Sequence, residues 1–214
     1  MSSRNLKSLL TLTVTSLEDA IELTARADLW HHQLKHYQAA RFKNMHFDQI
    51  VELAFMKSFL TWESFLEEAF LLYLLGNIAP TGYKPSKYVS PLNRNHAAEL
   101  LKGESRHSDW TAADLVISRA MRFFEHGRPF ASTIKPRIRH LNNLKIVRNA
   151  VSHASAESKE KFTIFVRNEL TYFPSAMTPG SFLMTLRPNA TPPQTYFAFY
   201  AEHLRAMVEA IVPK

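Results

Sequence analysis

The sequence predicts an all-α protein, and three observations lead to that prediction. Only 5 of its 214 residues are glycine, so helices are seldom interrupted. The 11 prolines lie mostly in three regions, which leaves long uninterrupted segments between them. Apolar residues recur in those segments at the helical period of about 3.6. We therefore expect one domain, residues 1–214, folded as an up-and-down bundle of four to six helices with long loops and at most one short strand.

Two long helices are predicted in the first third of the chain. The first begins at Ser16, a residue type that caps helices, and runs to about Ala40. Residues 41–47 form the predicted connection. The second helix, Asp48–Leu75, is apolar on most sides, which places it at the centre of the bundle. Gly76 then supplies a stop signal.

The rest of the chain alternates loops with shorter predicted elements. Residues 78–95 hold three prolines and predict a long loop. The predicted helices are 95–102, Asp109–His126, a basic helix that starts between Pro129 and Pro136 and ends near Ser152, and Thr195–Val212. The sequence GSFLMTL, residues 180–186, predicts one short strand.

Bulk composition excludes several classes of protein. The chain is 46% hydrophobic and 21% charged, which is typical of a soluble globular protein. It has no cysteine, which excludes disulfides, thiolate zinc sites and a cysteine nucleophile. The short, Thr- and Ser-rich apolar patch near the N-terminus does not predict a signal peptide. The apolar segment Ile50–Leu75 carries five charged residues and predicts a buried helix, not a membrane span. We expect a cytoplasmic protein without a membrane partner.

Positive charge is concentrated in one region. The chain has a net charge of +7. Residues 119–148 hold eight basic residues against the single acid Glu125, which accounts for the whole excess. Such a concentration predicts a site for a polyanion, and Arg137, Arg139 and Lys145 are the candidate contacts. The alternative is a solvated charged face.

Common nucleotide-binding and hydrolase motifs are absent. The sequence has no P-loop, GxGxxG, HExxH or GxSxG pattern. His32 and His36 lie four residues apart beside His31, but we find no third ligand at helical spacing. We therefore expect no metal and no cofactor. No helix-turn-helix spacing favours the weaker alternative of a DNA-binding protein.

The remaining motif is RNAVSH, residues 148–153. Histidine suits proton transfer near neutral pH, and arginine presents a permanent charge to phosphate oxygens. Two other Arg–His pairs have the same spacing, Arg26–His31 and Arg41–His46. Neither has a polar residue after the arginine, and neither lies in the basic region. We therefore choose Arg148, Asn149 and His153 as the candidate catalytic residues.

This motif resembles that of the HEPN superfamily (higher eukaryotes and prokaryotes nucleotide-binding). HEPN ribonucleases carry an arginine, commonly followed by a polar residue that is often asparagine, and a histidine after four to six intervening residues. FLTWESFLEEAFLLYL (59–74), ESKEKFTIFV (157–166) and TPGSFL (178–183) also look like the prokaryotic RiboL-PSP-HEPN and related groups. The resemblance covers roughly Asp48–Val212.

The resemblance implies a metal-independent endoribonuclease that forms a 2′,3′-cyclic phosphate. Such a protein acts on RNA, often as a prokaryotic toxin or antiphage effector restrained by an antitoxin or other partner. Arg148 would bind phosphate, and His153 would transfer protons. Asn149 would position the imidazole or the phosphate. The alternative is an inactive HEPN module that dimerises or binds nucleotides beside another protein.

Helical geometry leaves two ways to assemble the motif. Five residues on an unbroken helix turn about 500°, so Arg148 and His153 would be about 140° apart. Either the helix breaks near Ser152, with Ser155 as the next cap, or a second copy in a symmetric homodimer completes the site, as in family members. Structural alternatives are an ion pair of Arg148 with Glu63 or Glu67 and a His153 without a catalytic role. Trp62 and Phe65 are expected in the core more than as a base-stacking platform.

Overall fold

The computed structural model describes residues 5–36, 44–102, 109–153 and 155–214, and these residues form α-helices joined by loops. In chain order the helices are α1 (Leu6–His36), α2 (Asn44–Leu74), α3 (Arg94–Lys102), α4 (Ala113–Phe123), α5 (Phe130–Ile134), α6 (Ile138–Ser152), α7 (Ala156–Leu170), α8 (Pro179–Met184) and α9 (Tyr196–Ile211). Single 3₁₀ turns occur at Glu125–Gly127 and Lys135–Arg137. The described ranges contain isolated β-bridges but no strand, so the all-α prediction is confirmed.

The described residues cluster into two compact units. The first unit takes its residues from Met1–Thr15, Thr61–Asn142 and Leu204–Lys214. The second takes them from Ser16–Leu60 and Asn143–His203. The expectation of a single domain over residues 1–214 stays a prediction. None of the helices in the described ranges is long and apolar enough to cross a membrane.

The first unit is built on aromatic side chains from α2. Phe70 is fully buried and stacks on Phe130 with 3.8 Å between ring centroids, while Phe124 packs at 5.5 Å. Trp62 and Phe65 are also buried, which confirms their prediction as core residues. Aromatic rings bury a large apolar area, so these contacts supply much of the hydrophobic stabilisation of this unit.

The end of α2 is held by backbone hydrogen bonds. The amide of Asn77 donates to the carbonyl of Leu72 at 3.0 Å, and that of Gly76 donates to the carbonyl of Tyr73 at 3.0 Å. Gly76 has φ +88°, a conformation that glycine adopts without a steric penalty. This is the Schellman arrangement, and it confirms Gly76 as the stop signal.

The second unit has its own aromatic core on α7, α8 and α9. Phe182 is fully buried, stacks on Tyr196 at 4.4 Å and packs edge-on against Phe165 at 5.1 Å. The N-terminus of α8 approaches the backbone of α2 so closely that a Cβ on Gly180 would lie 2.5 Å from the carbonyl oxygen of Asp48. Only glycine fits there, and this close approach fixes α8 against the start of α2.

The segment GSFLMTL is helical, so the predicted strand is wrong. Residues 179–184 form α8 instead. The Thr178 hydroxyl accepts a hydrogen bond from the amide of Ser181 at 3.0 Å, and the Ser181 hydroxyl accepts from the amide of Thr178 at 2.9 Å. This reciprocal capping box, with Pro179 at the first helical position, favours a helix over the extended form.

Two predicted helix starts are also wrong. Helix α1 begins at Leu6, not Ser16, because the Asn5 carboxamide accepts from the amide of Ser8 at 2.9 Å and caps the helix. Leu6, Leu9 and Leu10 are buried at helical spacing within the patch that precedes the predicted start. Asp109 accepts from the amide of Thr111 at 2.7 Å in a local turn, and α4 begins at Ala113 without a side-chain cap.

Candidate functional site

The candidate site lies in the second unit, where α6 ends and α7 begins. Helix α6 ends at Ser152, and His153 is the first residue beyond it. Ser155 is extended, and its hydroxyl accepts from the amide of Ser158 at 3.2 Å to start α7. Both the break near Ser152 and the Ser155 cap are confirmed.

The break brings the three predicted catalytic side chains together within one chain. Nη1 of Arg148 lies 3.3 Å from Oδ1 of Asn149 and 3.4 Å from Nε2 of His153. Arg148 and Asn149 are partly buried, while His153 is exposed. A phosphate arriving from solvent would therefore meet the imidazole and the edge of the guanidinium together.

The hydrogen-bonding partner of His153 fixes the role of its ring nitrogens in this geometry. A guanidinium has only donors, so Nε2 of His153 must accept the bond from Arg148. Oδ1 of Asn149 accepts a hydrogen bond from the same Nη1. The side-chain N–H₂ group of Asn149 takes no part in this contact. The site thus holds a basic nitrogen beside a fixed positive charge.

Backbone contacts hold this arrangement in place. The Ser152 hydroxyl donates to the carbonyl of Arg148 at 2.9 Å and lies 3.6 Å from the sulfur of Met56 on α2. The Ser158 hydroxyl on α7 donates to the carbonyl of Asn149 at 3.2 Å. These bonds add side-chain donors to two carbonyls of the last turn of α6, one of which also accepts from the amide of His153 at 2.9 Å. Ser158 thus links α7 to the end of α6, and no feature of the sequence pointed to it.

Nε of Arg148 is a buried donor that makes no hydrogen bond within the described part of the chain. A buried N–H without a hydrogen bond carries an energetic cost. This donor is therefore available to a partner that reaches the guanidinium.

A buried polar network lies behind the site and joins α6, α7 and α9. Glu169 accepts from the side-chain amide of Asn143 at 3.3 Å and from the hydroxyl of Tyr196 at 3.3 Å. Burial, together with the charge and hydrogen bond of Glu169, raises the pKa of Tyr196 to about 12. Burial also raises the pKa of Tyr200, which shares a hydrogen bond with Asn143. Both phenols stay protonated near neutral pH and serve as donors, so the network is structural.

The candidate RNA contacts fall in different units. Lys145 belongs to the second unit and lies three residues before Arg148, so the two share a face of α6. Arg137 and Arg139 belong to the first unit. Arg137 donates to the carbonyl of Thr133 at 3.2 Å, and Arg139 is exposed. Lys145 is therefore the candidate RNA contact that belongs to the same unit as Arg148, Asn149 and His153.

The two other Arg–His pairs have no comparable geometry in the described residues. Arg26 donates to the carboxylate of Glu22 at 2.9 Å in an exposed pair on α1. His31 stacks on Phe47 with 4.9 Å between ring centroids. Arg41 lies outside the described ranges.

The histidines of α1 do have a carboxylate at helical spacing, which corrects the sequence prediction on this point. Asp28 lies four residues before His32, and its carboxylate is 3.6 Å from Nε2 of that histidine. The side chain of His36 lies outside the described part of the structure. Among the described residues no group of three His, Cys, Asp or Glu side chains could hold a metal ion.

Of the two ways to assemble the motif, a break in the helix or a second copy of the chain, the second copy is not needed to bring the pair together. The expected separation of about 140° holds only for an unbroken helix. Because α6 ends at Ser152, the long arginine side chain reaches the histidine of its own chain. A second copy is not required to pair Arg148 with His153.

Comparisons with protein-family models, curated proteins and solved structures find no match to this chain. The assignment to the HEPN superfamily therefore stays a prediction that depends on the residues quoted for it.

Proposed function

We propose that this protein is a metal-independent endoribonuclease of the HEPN type, with Arg148, Asn149 and His153 as its catalytic residues. The observation that carries the proposal is the 3.4 Å contact between Arg148 Nη1 and His153 Nε2 within a single chain. An imidazole in contact with a guanidinium supplies the acid–base group and the fixed positive charge that RNA cleavage by 2′-hydroxyl attack requires.

In the proposed reaction, Nε2 of His153 takes the proton from the 2′-hydroxyl. The 2′-oxygen then forms a bond to phosphorus, and the bond from phosphorus to the 5′-oxygen breaks. Arg148 stabilises the extra negative charge on the phosphorane oxygens, and Asn149 orients the phosphate through its amide. The products are a 2′,3′-cyclic phosphate and a 5′-hydroxyl, and the leaving oxygen needs one proton.

The leaving oxygen needs a proton donor on its own side of phosphorus, and this requirement supports a homodimer as part of the proposal. Attacking and leaving oxygens lie on opposite sides of phosphorus in an in-line displacement. One imidazole acting as base on one side is poorly placed to be the acid on the other. His153 of a second copy, brought in across a two-fold axis, would supply the acid. Lys145 would bind a phosphate next to the cleaved one, and Arg137 and Arg139 are candidate RNA contacts of the first unit. Activity of this kind suits a toxin or antiphage effector held in check by an antitoxin or regulatory protein.

The direct test is cleavage of single-stranded or tRNA-like RNA in excess EDTA. Wild-type protein should cut, because no metal takes part. Arg148→Ala and His153→Ala should each lower the rate by about a hundredfold or more, the usual contribution of a phosphate-stabilising or acid–base group. Circular dichroism should show an unchanged fold.

Arg26→Ala and His32→Ala are matched controls, since they remove the same residue types from exposed positions on α1. They should cut at the wild-type rate. If the Arg148→Ala/His153→Ala double variant cuts as fast as wild type, the assignment of the site is wrong. RNA binding without cleavage by wild-type protein would favour the inactive binding module.

A further inference from the structure

The first unit contains a small polar cleft between the loop after α2 and the turn after α4. Its volume is about 270 Å³. The polar residues that line it are Tyr83, Lys84, Ser86, Glu125, His126 and Arg128. No motif of the sequence drew attention to this cleft, because its two walls are separated by about forty residues of chain.

Backbone hydrogen bonds hold the two walls together. The amide of Glu125 donates to the carbonyl of Ser86 at 3.0 Å, and the amide of Tyr88 donates to the carbonyl of Phe123 at 3.0 Å. The turn at the base is tight: His126 has φ +53° and Gly127 has φ +67°. A Cβ on Gly127 would lie 2.6 Å from the Cβ of Ala131, so this turn is packed against α5. The cleft therefore has a defined shape.

The charges that face the cleft are mostly positive and unpaired. Within the described ranges, neither the Lys84 ammonium nor the Arg128 guanidinium has an ion-pair partner. Glu125 is the one acid among the residues that line the cleft, and its carboxylate lies 3.9 Å from the imidazole of His126. Two basic side chains and a histidine thus line a space with one carboxylate.

The positive charges at the cleft affect the pKa values of a neighbouring lysine and of a tyrosine. Burial lowers the pKa of Lys87, and the charge of Lys84 lowers it further. The Lys87 ammonium is already engaged, since it donates to the carbonyl of Leu74 at the end of α2. Burial raises the pKa of the Tyr83 hydroxyl, while Arg128 acts in the opposite direction. The hydroxyl is therefore protonated and can donate a hydrogen bond beside the guanidinium.

We propose that this cleft binds a phosphate group, held by Arg128 and Lys84 with hydrogen bonds from Tyr83 and His126. Guanidinium and ammonium groups are the usual partners of phosphate oxygens, and a hydroxyl donor completes the coordination. The phosphate comes either from a free nucleotide or inorganic phosphate, or from a nucleic-acid strand. The site belongs to the first unit, so it does not depend on the ribonuclease proposal.

Calorimetric titration with inorganic phosphate at constant ionic strength tests this site. The Arg148→Ala/His153→Ala protein is used as the background, so that the candidate catalytic site cannot contribute. Lys84→Ala with Arg128→Ala should weaken phosphate binding by about tenfold or more, since two charged donors are lost. The control removes two exposed cations elsewhere in the first unit, Arg122→Ala with Lys135→Ala, and should bind as the background does.

A second measurement does not rely on those variants. The His126 imidazole resonances of the background protein should shift on addition of phosphate and not on addition of chloride. Absence of binding, equal binding by the Lys84→Ala/Arg128→Ala protein, or equal weakening in the control pair would overturn the proposal.

Two further titrations identify the source of the phosphate. One uses a deoxyoligonucleotide with a 5′-phosphate and the other the same strand with a 5′-hydroxyl. Tighter binding of the phosphorylated strand that depends on Lys84 and Arg128 assigns the site to a strand end. A dependence seen with inorganic phosphate alone assigns it to a free ligand.

Discussion

Arg148 and His153 touch across the end of a helix: Nη1 of the arginine lies 3.4 Å from Nε2 of the histidine, although the two residues are five positions apart. The contact exists because α6 ends at Ser152 and the next helix is capped separately by Ser155. A continuous helix would hold the two side chains on different faces. The predictions about cleavage therefore concern both the pair itself and the turn that creates it.

The first prediction concerns the nucleophile. An RNA with a single 2′-deoxy position at its main cleavage site should resist cutting there by at least about a hundredfold, because the 2′-oxygen is the attacking group in the proposed reaction. Cleavage at other positions of the same strand should continue and serves as the internal control. Gel analysis of end-labelled RNA measures both. Equal cutting of the deoxy position would point to a nuclease that uses water as its nucleophile.

The second prediction concerns the number of histidines in one active site. Wild-type protein is mixed in different ratios with the Arg148→Ala/His153→Ala protein at constant total concentration, after conditions that allow subunits to exchange. If two copies of His153 act together, activity should fall as the square of the wild-type fraction. Activity proportional to that fraction would show that each chain works alone, which the contact within one chain also permits. Sedimentation of the same mixtures checks that dimers are present.

The third prediction concerns Ser155. Its hydroxyl caps α7, so Ser155→Ala should lower the free energy of unfolding by about 1 kcal/mol. The loosened turn should also lower kcat more than it changes KM, because His153 loses its fixed position while the phosphate contacts remain. Thr163→Ala removes a hydroxyl from the same helix, where it bonds only the carbonyl of Lys159, and should leave kcat unchanged. A destabilised Ser155→Ala protein with wild-type kcat would contradict the positioning role.

The fourth prediction concerns Glu52, which accepts from the amide of Gly180 at 3.0 Å. Burial raises the pKa of Glu52 above its ordinary value of 4.5, the Gly180 hydrogen bond lowers it, and Asp48 raises it. The folded protein therefore keeps a proton that the unfolded chain releases. Stability falls as pH rises from about 4.5 through the folded pKa, and the loss is complete above it. Glu52→Gln keeps the acceptor without the charge, so it should be more stable than wild type at pH 7 and equal to it well below the ordinary pKa.

Urea denaturation across that pH range measures this difference, and Glu157 is a control of opposite sign. The hydrogen bond and charge of Lys161 lower the pKa of Glu157, so its contribution is present above the ordinary pKa and is lost as pH falls. Glu157→Gln should therefore lose stability at neutral pH and not gain it. A Glu52→Gln protein that is less stable than wild type at pH 7 would contradict the prediction.

The sequence predicted which segments are helical better than it predicted the residues at which each helix begins and ends. Helix α2 was predictable because apolar residues surround most of it and Gly76 follows its end, and α9 because its apolar residues follow a clear period. The start of α1 at Leu6 was missed because the capping role of Asn5 and the burial of the leucines that follow it become clear only in the folded structure. The Thr178 cap of α8 was missed for a similar reason, since an apolar run of a few residues does not separate strand from helix.

What the sequence by itself determined is a helical protein with a concentrated positive charge and one Arg-Asn…His motif, because residue type and spacing along the chain are enough for each. Whether that motif forms a site was decided only by the tertiary structure. The direction in which α7 leaves Ser155, the bond from Ser158 to the carbonyl of Asn149 and the network on Glu169 place α6 and α7 together. These contacts join residues from separate elements, and a periodic pattern carries no information about which elements will meet.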